Sequence, residues 1–426
     1  MQTAFTPAQL QDPDQRRAEE ILRKCVHCGF CLATCPTYVI DGNELDSPRG
    51  RIYQIKDYYE GGKPANASLT THLDRCLTCL SCATTCPSGV DYGQLVDLTR
   101  TRLAKTQPRP LADRLLRKLL ATVLAHPGLF RLGLRAAQMV KPMAGLLPAA
   151  LRRMVQAAEK PPAPSSMDHP GVYPAAGERR LRIALAPGCA QKVLRPAINE
   201  ATIRLLTRLG CDVVIAEGSG CCGALAHHLG EEDAALARVR ANIVAWDRVR
   251  AEGGLDAIIS NASGCGAVMK DYGFLMRHDP ALAAKAQEIE ALSKDVSEVI
   301  ADLGLPPVTQ PQALAVAFHA PCTLQHGQRI GGLPATLLAQ AGYQVRVPQE
   351  AHLCCGSAGT YSLLQPDRSA RLRRRKLDHL SALDCGVIAT ANIGCLEHMA
   401  PQAPVPIVHL VELLDWATGG PRPEGC

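Results

Sequence analysis

From residue 181 onward, apolar and polar positions follow two spacings in turn, which predicts strands alternating with helices. "LRIALAPGC" (181–189) and "DVVIAE" (212–217) are short apolar runs that read as buried strands, and "AINEATIRLLTRLG" between them reads as a helix. The whole order then repeats. "LRIALAPGC" matches "LAVAFHAPC" (314–322), "AINEATIRLLTRLGCDVVIAEGSGCCG" matches "PATLLAQAGYQVRVPQEAHLCCG", and "DAIISNASGC" (256–265) matches "CGVIATANIGC" (385–395). In both copies thirty-one residues separate the first Cys from the Cys-Cys pair, Cys189 to Cys221 and Cys322 to Cys354. Each copy reads strand, helix, strand, Cys-Cys loop, helix, strand, Cys, the order of a βαβ lobe with a parallel sheet. Functional loops of such sheets lie at the carboxyl ends of the strands, so all the cysteine elements are expected on one rim of each lobe. Two lobes facing each other would set two such rims side by side.

The pattern before the repeat is different. Residues 108–180 combine the leucine-rich, cationic runs "LADRLLRKLLATVLA" and "LFRLGLRAAQMV" with a proline-rich stretch, "EKPPAPSSMDHPGVYP". Between Arg109 and Arg153 there are nine Lys or Arg against a single acid, Asp113, so this stretch carries +8 and the rest of a chain of net charge +6 is close to neutral. Such helices suit either a solvated linker or a membrane-surface or partner-docking role. No aromatic platform accompanies the charge, which argues against nucleic acid. The longest apolar run, "LLATVLAHPGLF" (119–130), is too short to span a bilayer and is interrupted by Pro127. The expected division is 1–107, a two-cluster module; 108–180, the basic segment and linker; 181–300, the first lobe; and 310–426, the second.

Nineteen cysteines change the picture most. The first twenty residues have no apolar core of the kind a secretory signal needs, so a cytoplasmic, reducing setting is expected, where clustered thiols bind metal or do redox chemistry. "CVHCGFCLATCP" (25–36) and "CLTCLSCATTCP" (76–87) both follow C-x2-C-x2-C-x3-C-P. Three closely spaced thiolates can hold one corner of a four-iron cubane, and the fourth reaches the other cluster. The expected ligand sets are Cys25, Cys28, Cys31 and Cys86 for one [4Fe–4S] cluster and Cys76, Cys79, Cys82 and Cys35 for the second. Paired zinc sites are the competing reading, disfavoured by two complete copies of the cluster spacing. The fold class is therefore α+β overall, with a helical ferredoxin-like module followed by two repeated α/β lobes with parallel sheets.

"GSGCCG" (218–223) also satisfies a dinucleotide-binding pattern, but the second copy, "HLCCGSAG", loses both earlier glycines and keeps Cys-Cys-Gly. The thiol pair is what the repeat retains. Additional candidate redox or metal sets are Cys189, Cys221, Cys222 and Cys265 in the first lobe and Cys322, Cys354, Cys355 and Cys395 in the second, with His398 as a further donor where the first lobe has Val268. A redox-active dithiol or a structural remnant are the alternatives. Cys211 and Cys385 read as small buried hydrophobes, and Cys426 as a terminal, unpaired thiol. His319 and His352, and His227 and His228, flank the cysteine loops, where packing competes with tuning or proton relay; Tyr361 and Arg51 have no assigned role. No flavin or nicotinamide fingerprint appears, so one-electron transfer is expected here and hydride removal on a partner.

These strings, together with "DSPRGRIYQIK", "PCTLQH", "LCCGSAGTY" and "TANIGC", resemble the iron–sulfur subunit of glycolate oxidase, within a larger group that joins a two-cluster ferredoxin module to two Cys-Cys-Gly domains. The resemblance covers nearly the whole chain. It implies a complex with FAD-binding subunits that oxidise glycolate, and D-lactate as a second 2-hydroxy acid, with electrons passing through this chain to a quinone or other acceptor, and a peripheral place on the cytoplasmic face of the membrane. Catalysis by this chain alone is not implied. In heterodisulfide reductases of the group a further Cys follows three residues after the last one; Val268 and His398 stand there here. Related alternatives are disulfide reduction at the lobes, or the iron–sulfur subunit of a glycerol-3-phosphate or lactate dehydrogenase.

Overall fold

The computed structural model describes residues 1–61, 66–107, 109–310 and 313–426. Residue 108, where the basic segment is expected to begin, and residues 311 and 312, near the start of the second lobe, lie outside them.

Among the described residues nine strands form two sheets: β1 (Gly171–Tyr173), β2 (Leu181–Leu185), β3 (Cys211–Ile215), β4 (Ala257–Ser260) and β5 (Ser293–Asp295) in the first, β6 (Ala315–His319), β7 (Gln344–Arg346), β8 (Val387–Thr390) and β9 (Ile407–His409) in the second. The orders are β1-β3-β2-β4-β5 and β7-β6-β8-β9. Every pairing is parallel except β1 on β3. Without β1 the two sheets have one topology, so the sequence repeat is a repeat of fold. β4 and β8 are buried along their whole length, as strands covered on both faces by helices must be. Two features depart from the sequence reading. β5 and β9 add a fourth parallel strand to each lobe, and the end of the proline-rich linker supplies β1 as an antiparallel edge.

The lobes are fused through their helices. The helix Ala197–Arg208 lies against Leu410–Ala417, and one apolar cluster runs from Ile183 and Ile203 through Val316 and Leu338 to Leu413. Asp415, fully buried, accepts from Arg204 (Nη2 to Oδ2, 2.7 Å) and from Arg208 across this seam. The strand-end rims meet as expected: Ser263 N donates to Ala391 O at 3.2 Å, and the Ser263 and Thr323 hydroxyls are 2.8 Å apart.

The N-terminal module is helical. Pro13–Lys24, Pro48–Glu60 and Tyr92–Thr106 start at side-chain caps, Asp12, Ser47 and Asp91, and two have proline in the first turn, where its missing N–H costs nothing. Ala18, Ile21 and Leu22, spaced three and one apart on one helical face, pack with Ile52, Ile55 and Leu95. The basic segment forms helices Leu111–Val123, Pro127–Val140 and Ala149–Ala157, the second starting at the proline that breaks the apolar run. No helix among the described residues is long and apolar enough to cross a membrane.

Asp415→Ala is expected to lower stability by about 2 kcal/mol through the lost charge-assisted bonds. Both lobes should then unfold at a lower denaturant midpoint in a single transition, read by circular dichroism; separate transitions would contradict a common core.

Candidate metal centres

The two cysteine loops have the same backbone. In the first, His27 and Gly29 take positive φ (55° and 85°); in the second, the matching residues Thr78 and Leu80 do so (51° and 62°). Left-handed conformations at non-glycine residues are costly and persist where surroundings enforce them. After each fourth cysteine a proline turns the chain away, and Pro36 opens the helix Pro36–Asp41 directly behind Cys35.

Two cavities result. One is lined by Cys25, Cys28, Cys31 and Cys86, the other by Cys35, Cys76, Cys79 and Cys82, with Cys82 also touching the first. Thus Cys35 and Cys86 each cross to the cavity of the other loop. The remaining walls are chiefly apolar, among them Ile52, Val90 and Pro48 for the first and Leu77 and Leu80 for the second. Four thiols around an apolar hollow fit a [4Fe–4S] cluster. Burial pushes the Cys31 thiol up to about 11 and raises Cys25, Cys79 and Cys82 as well, so metal binding must release their protons.

Arg51, which sequence reasoning left without a role, stands at the second cavity with 1% of its surface exposed. It donates to His72 O (2.7 Å) and Thr37 Oγ1 (3.1 Å), pairs with Asp46 (3.4 Å), and directs Nη1 toward Cys35 Sγ (3.9 Å). Asp46 is shared with His72 and Arg75. Burial disfavours the guanidinium, yet Tyr92, Cys76, Cys35 and Asp46 hold it charged. A buried cation in this place offsets the negative charge of thiolates.

In the lobes the expected thiols also come together. Hydrogen bonds between free thiols link Cys189 to Cys221, Cys221 to Cys222 and Cys222 to Cys265. In the second lobe Cys322 Sγ is 3.7 Å from Cys354 Sγ, which adjoins Cys355, which adjoins Cys395. The glycine after each pair is required twice over. Gly223 and Gly356 have φ of 92° and 93°, and a Cβ on Gly356 would lie 2.6 Å from Ser369 O. The lobes differ in protonation: hydrogen bonds from Cys189 and Cys222 hold Cys221 well below the ordinary thiol range, whereas Cys322, Cys354 and Cys355 are all raised.

His398, expected as a further donor, lies beside the backbone of Cys355. Its Nε2 is 3.2 Å from the Ser369 hydroxyl, and the imidazole that joins the second-lobe thiols is His319, grouped with Cys355 and Cys395 within 4.8 Å. His227 and His228 face Asp97 of the N-terminal module (3.3 and 3.5 Å) and pull its carboxyl well down against burial. His326 of "PCTLQH" bridges modules, with Nδ1 2.8 Å from Thr84 Oγ1 and Nε2 3.0 Å from His352 O. Leu77, Cys79, Cys354 and Tyr361 form one buried group, so the second cavity abuts the second lobe's thiols. Cys211 is buried in the core and Cys385 half-buried.

Replacing Arg51 with Met is expected to cost about 3 to 5 kcal/mol, because it breaks a buried charge network, and Arg51→Lys markedly less. Anaerobic denaturant titration of the metal-loaded protein measures both.

Residues 21–90 match the family model for a 4Fe-4S dicluster domain, and residues 183–270 and 316–400 each match that for a cysteine-rich domain. The chain is 41% identical to the glycolate oxidase iron-sulfur subunit of Escherichia coli K12, over 98% of this chain and 99% of that one. It is 32% identical to the probable glycolate oxidase iron-sulfur subunit of Bacillus subtilis 168 over the same shares, and 27% identical, over 55% of its length, to lactate utilization protein A of an Exiguobacterium strain, 96% of which is covered. A crystal structure of a hypothetical protein from Helicobacter pylori shares the fold at a TM-score of 0.52 and 9% identity, covering 96% of this chain and 73% of that one.

Proposed function

Because the chain belongs to the glycolate oxidase iron–sulfur subunit family, we propose that it conducts electrons from an FAD-binding partner, which oxidises glycolate or a close 2-hydroxy acid, to a quinone or other acceptor. The single observation that carries this reading is the pair of adjoining cavities, each lined by cysteines drawn from both loops, with Cys82 shared between them. Two bound [4Fe–4S] clusters supply one-electron transfer, which is what is needed to drain a two-electron flavin. Cys25, Cys28, Cys31 and Cys86 would hold the first and Cys35, Cys76, Cys79 and Cys82 the second. The protein's own contribution is to keep both donor sets in apolar surroundings, to place the Arg51 charge beside the second, and to bring the second lobe's thiols against it.

The first cavity supports docking of the flavoprotein. Cys28 is exposed there, and Val26 and Phe30 beside it are 65% and 64% exposed, an apolar rim next to a redox group. Membrane contact is supported by the basic segment. Leu111, Leu115 and Leu119 form an exposed stripe on one helix, and Leu129, Leu132, Met139 and Val140 are exposed on the next. Arg109 and Arg117 are spent on Asp74 and Asp113, but Arg114, Lys118, Arg135 and Arg153 are exposed and without an ion-pair partner among the described residues. Apolar residues interleaved with free cations suit an anionic membrane surface.

Two measurements follow. The anaerobically purified chain should show reducible four-iron signals by EPR yet oxidise no glycolate until an FAD-binding glycolate oxidase subunit is added; turnover by the chain alone, or zinc in place of iron and sulfide, would refute the reading. Vesicles containing anionic phospholipid should sediment the protein in a salt-sensitive way, with binding reduced at least tenfold in a Leu115→Ser, Leu119→Ser, Leu132→Ser variant, and neutral vesicles should not.

A further inference from the structure

The two lobes share topology and thiol spacing, but one position at the rim distinguishes them. His319 ends β6, where the first lobe has Ala186. Its side chain is 1% exposed, and neither ring nitrogen has a hydrogen-bond partner among the described residues. An imidazole buried this way loses its water bonds and gains nothing, a cost of a few kcal/mol that cores avoid. A ring nitrogen of His319 lies within 4.8 Å of both Cys355 Sγ and Cys395 Sγ, which themselves lie within that distance of each other. The chain of thiols continues through Cys354 to Cys322.

Two further observations point to a ligand. The sheet order β7-β6-β8-β9 reverses direction between β6 and β8, and His319, Cys322 and Cys395 all emerge at the carboxyl ends of those two strands, the crevice where open parallel sheets bind their ligands. Lys376, 2% exposed, faces Cys354, Cys355 and Cys322 from the helix Pro366–Ser381, with Nζ anchored on Glu350 O at 2.7 Å. Its buried ammonium is placed to balance thiolates. The first lobe carries Ile243 at the same spacing after its Cys-Cys pair.

We propose that the second lobe alone holds a third, iron-containing centre, ligated by Cys322, Cys354, Cys355, Cys395 and the imidazole of His319. The assignment rests on the electron-transfer reading for the class of metal, and on the geometry of this rim for the ligands. The centre adjoins the second four-iron cavity through Cys79 and Cys354, with Tyr361 packed beside them. His398, held by Ser369, is outside the set, and the first lobe's thiols form a site without imidazole.

The test uses the full chain, purified anaerobically after growth with ¹⁵N-histidine and, separately, with natural abundance nitrogen. Pulsed EPR, in oxidised and reduced samples, should reveal a signal distinct from the two ferredoxin-type clusters that carries an imidazole nitrogen coupling changed by the label. In His319→Ala that coupling should vanish and iron should fall to about eight per chain, the content of two four-iron clusters. His398→Ala should keep both coupling and iron. The wild-type measurement stands even where a variant fails to fold, and Cys395→Ser offers a second route to losing the third signal. The inference is overturned by a wild-type protein with about eight irons and no third signal, by zinc in the second lobe, by a third signal without nitrogen coupling, or by coupling that survives in His319→Ala. In each of these outcomes intact signals from the two ferredoxin-type clusters leave the electron-transfer function standing, so the two failures are distinguishable.

Discussion

Neither cysteine loop of this protein can complete a donor set by itself. Cys35 and Cys86 cross over, and much of the N-terminal module follows from that exchange. The prolines behind the crossing cysteines, the left-handed residues within each loop and the capped helices that buttress them all serve to bring four thiols from two stretches of chain into one apolar hollow. Burial makes the hollow hospitable to a metal cluster but hostile to free thiolates, as the raised Cys79 and Cys82 show. Arg51, locked to Asp46 and His72, is the fixed countercharge.

The lobes meet the same demand by different means. In the first, Cys189 and Cys222 hydrogen-bond Cys221 and draw its thiol below the ordinary range. In the second, Cys322, Cys354 and Cys355 all resist ionisation, and beside them stand the Lys376 ammonium and an imidazole that burial keeps neutral and that has no hydrogen-bond partner among the described residues. Duplication therefore preserved a scaffold while the chemistry of the two rims diverged. The bridge from Thr84 through His326 to the His352 carbonyl fixes the second rim, and not the first, to the loop bearing Cys79 and Cys82.

Much of this was legible in the sequence, because it is written in spacing. Two copies of C-x2-C-x2-C-x3-C-P and the matched thirty-one-residue intervals require no knowledge of packing, and the thiols they pointed to do converge. β5 and β9 were invisible because three-residue strands such as "SKD" carry no period, and β1 because a partner, not its own pattern, makes it a strand. The sequence assigns Arg51 no role, and leaves tuning, relay and packing all open for His319 beside its cysteine loop, for another reason. Whether an arginine is solvated or sealed against a thiol, and whether a histidine finds a hydrogen bond, depends on groups that only the fold brings near. For His319 the sequence offered its place three residues before Cys322 and the Ala186 that faces it in the alignment of the two copies.

The contrast between Cys28, exposed at the surface, and Cys79, sealed beneath the second lobe, sets an order of vulnerability. Oxidation of sulfur ligands follows access. In air, damage would begin at the outer cavity and reach the inner one last. The opening that the proposed docking of a partner would use is the same one through which dioxygen would compete with that partner.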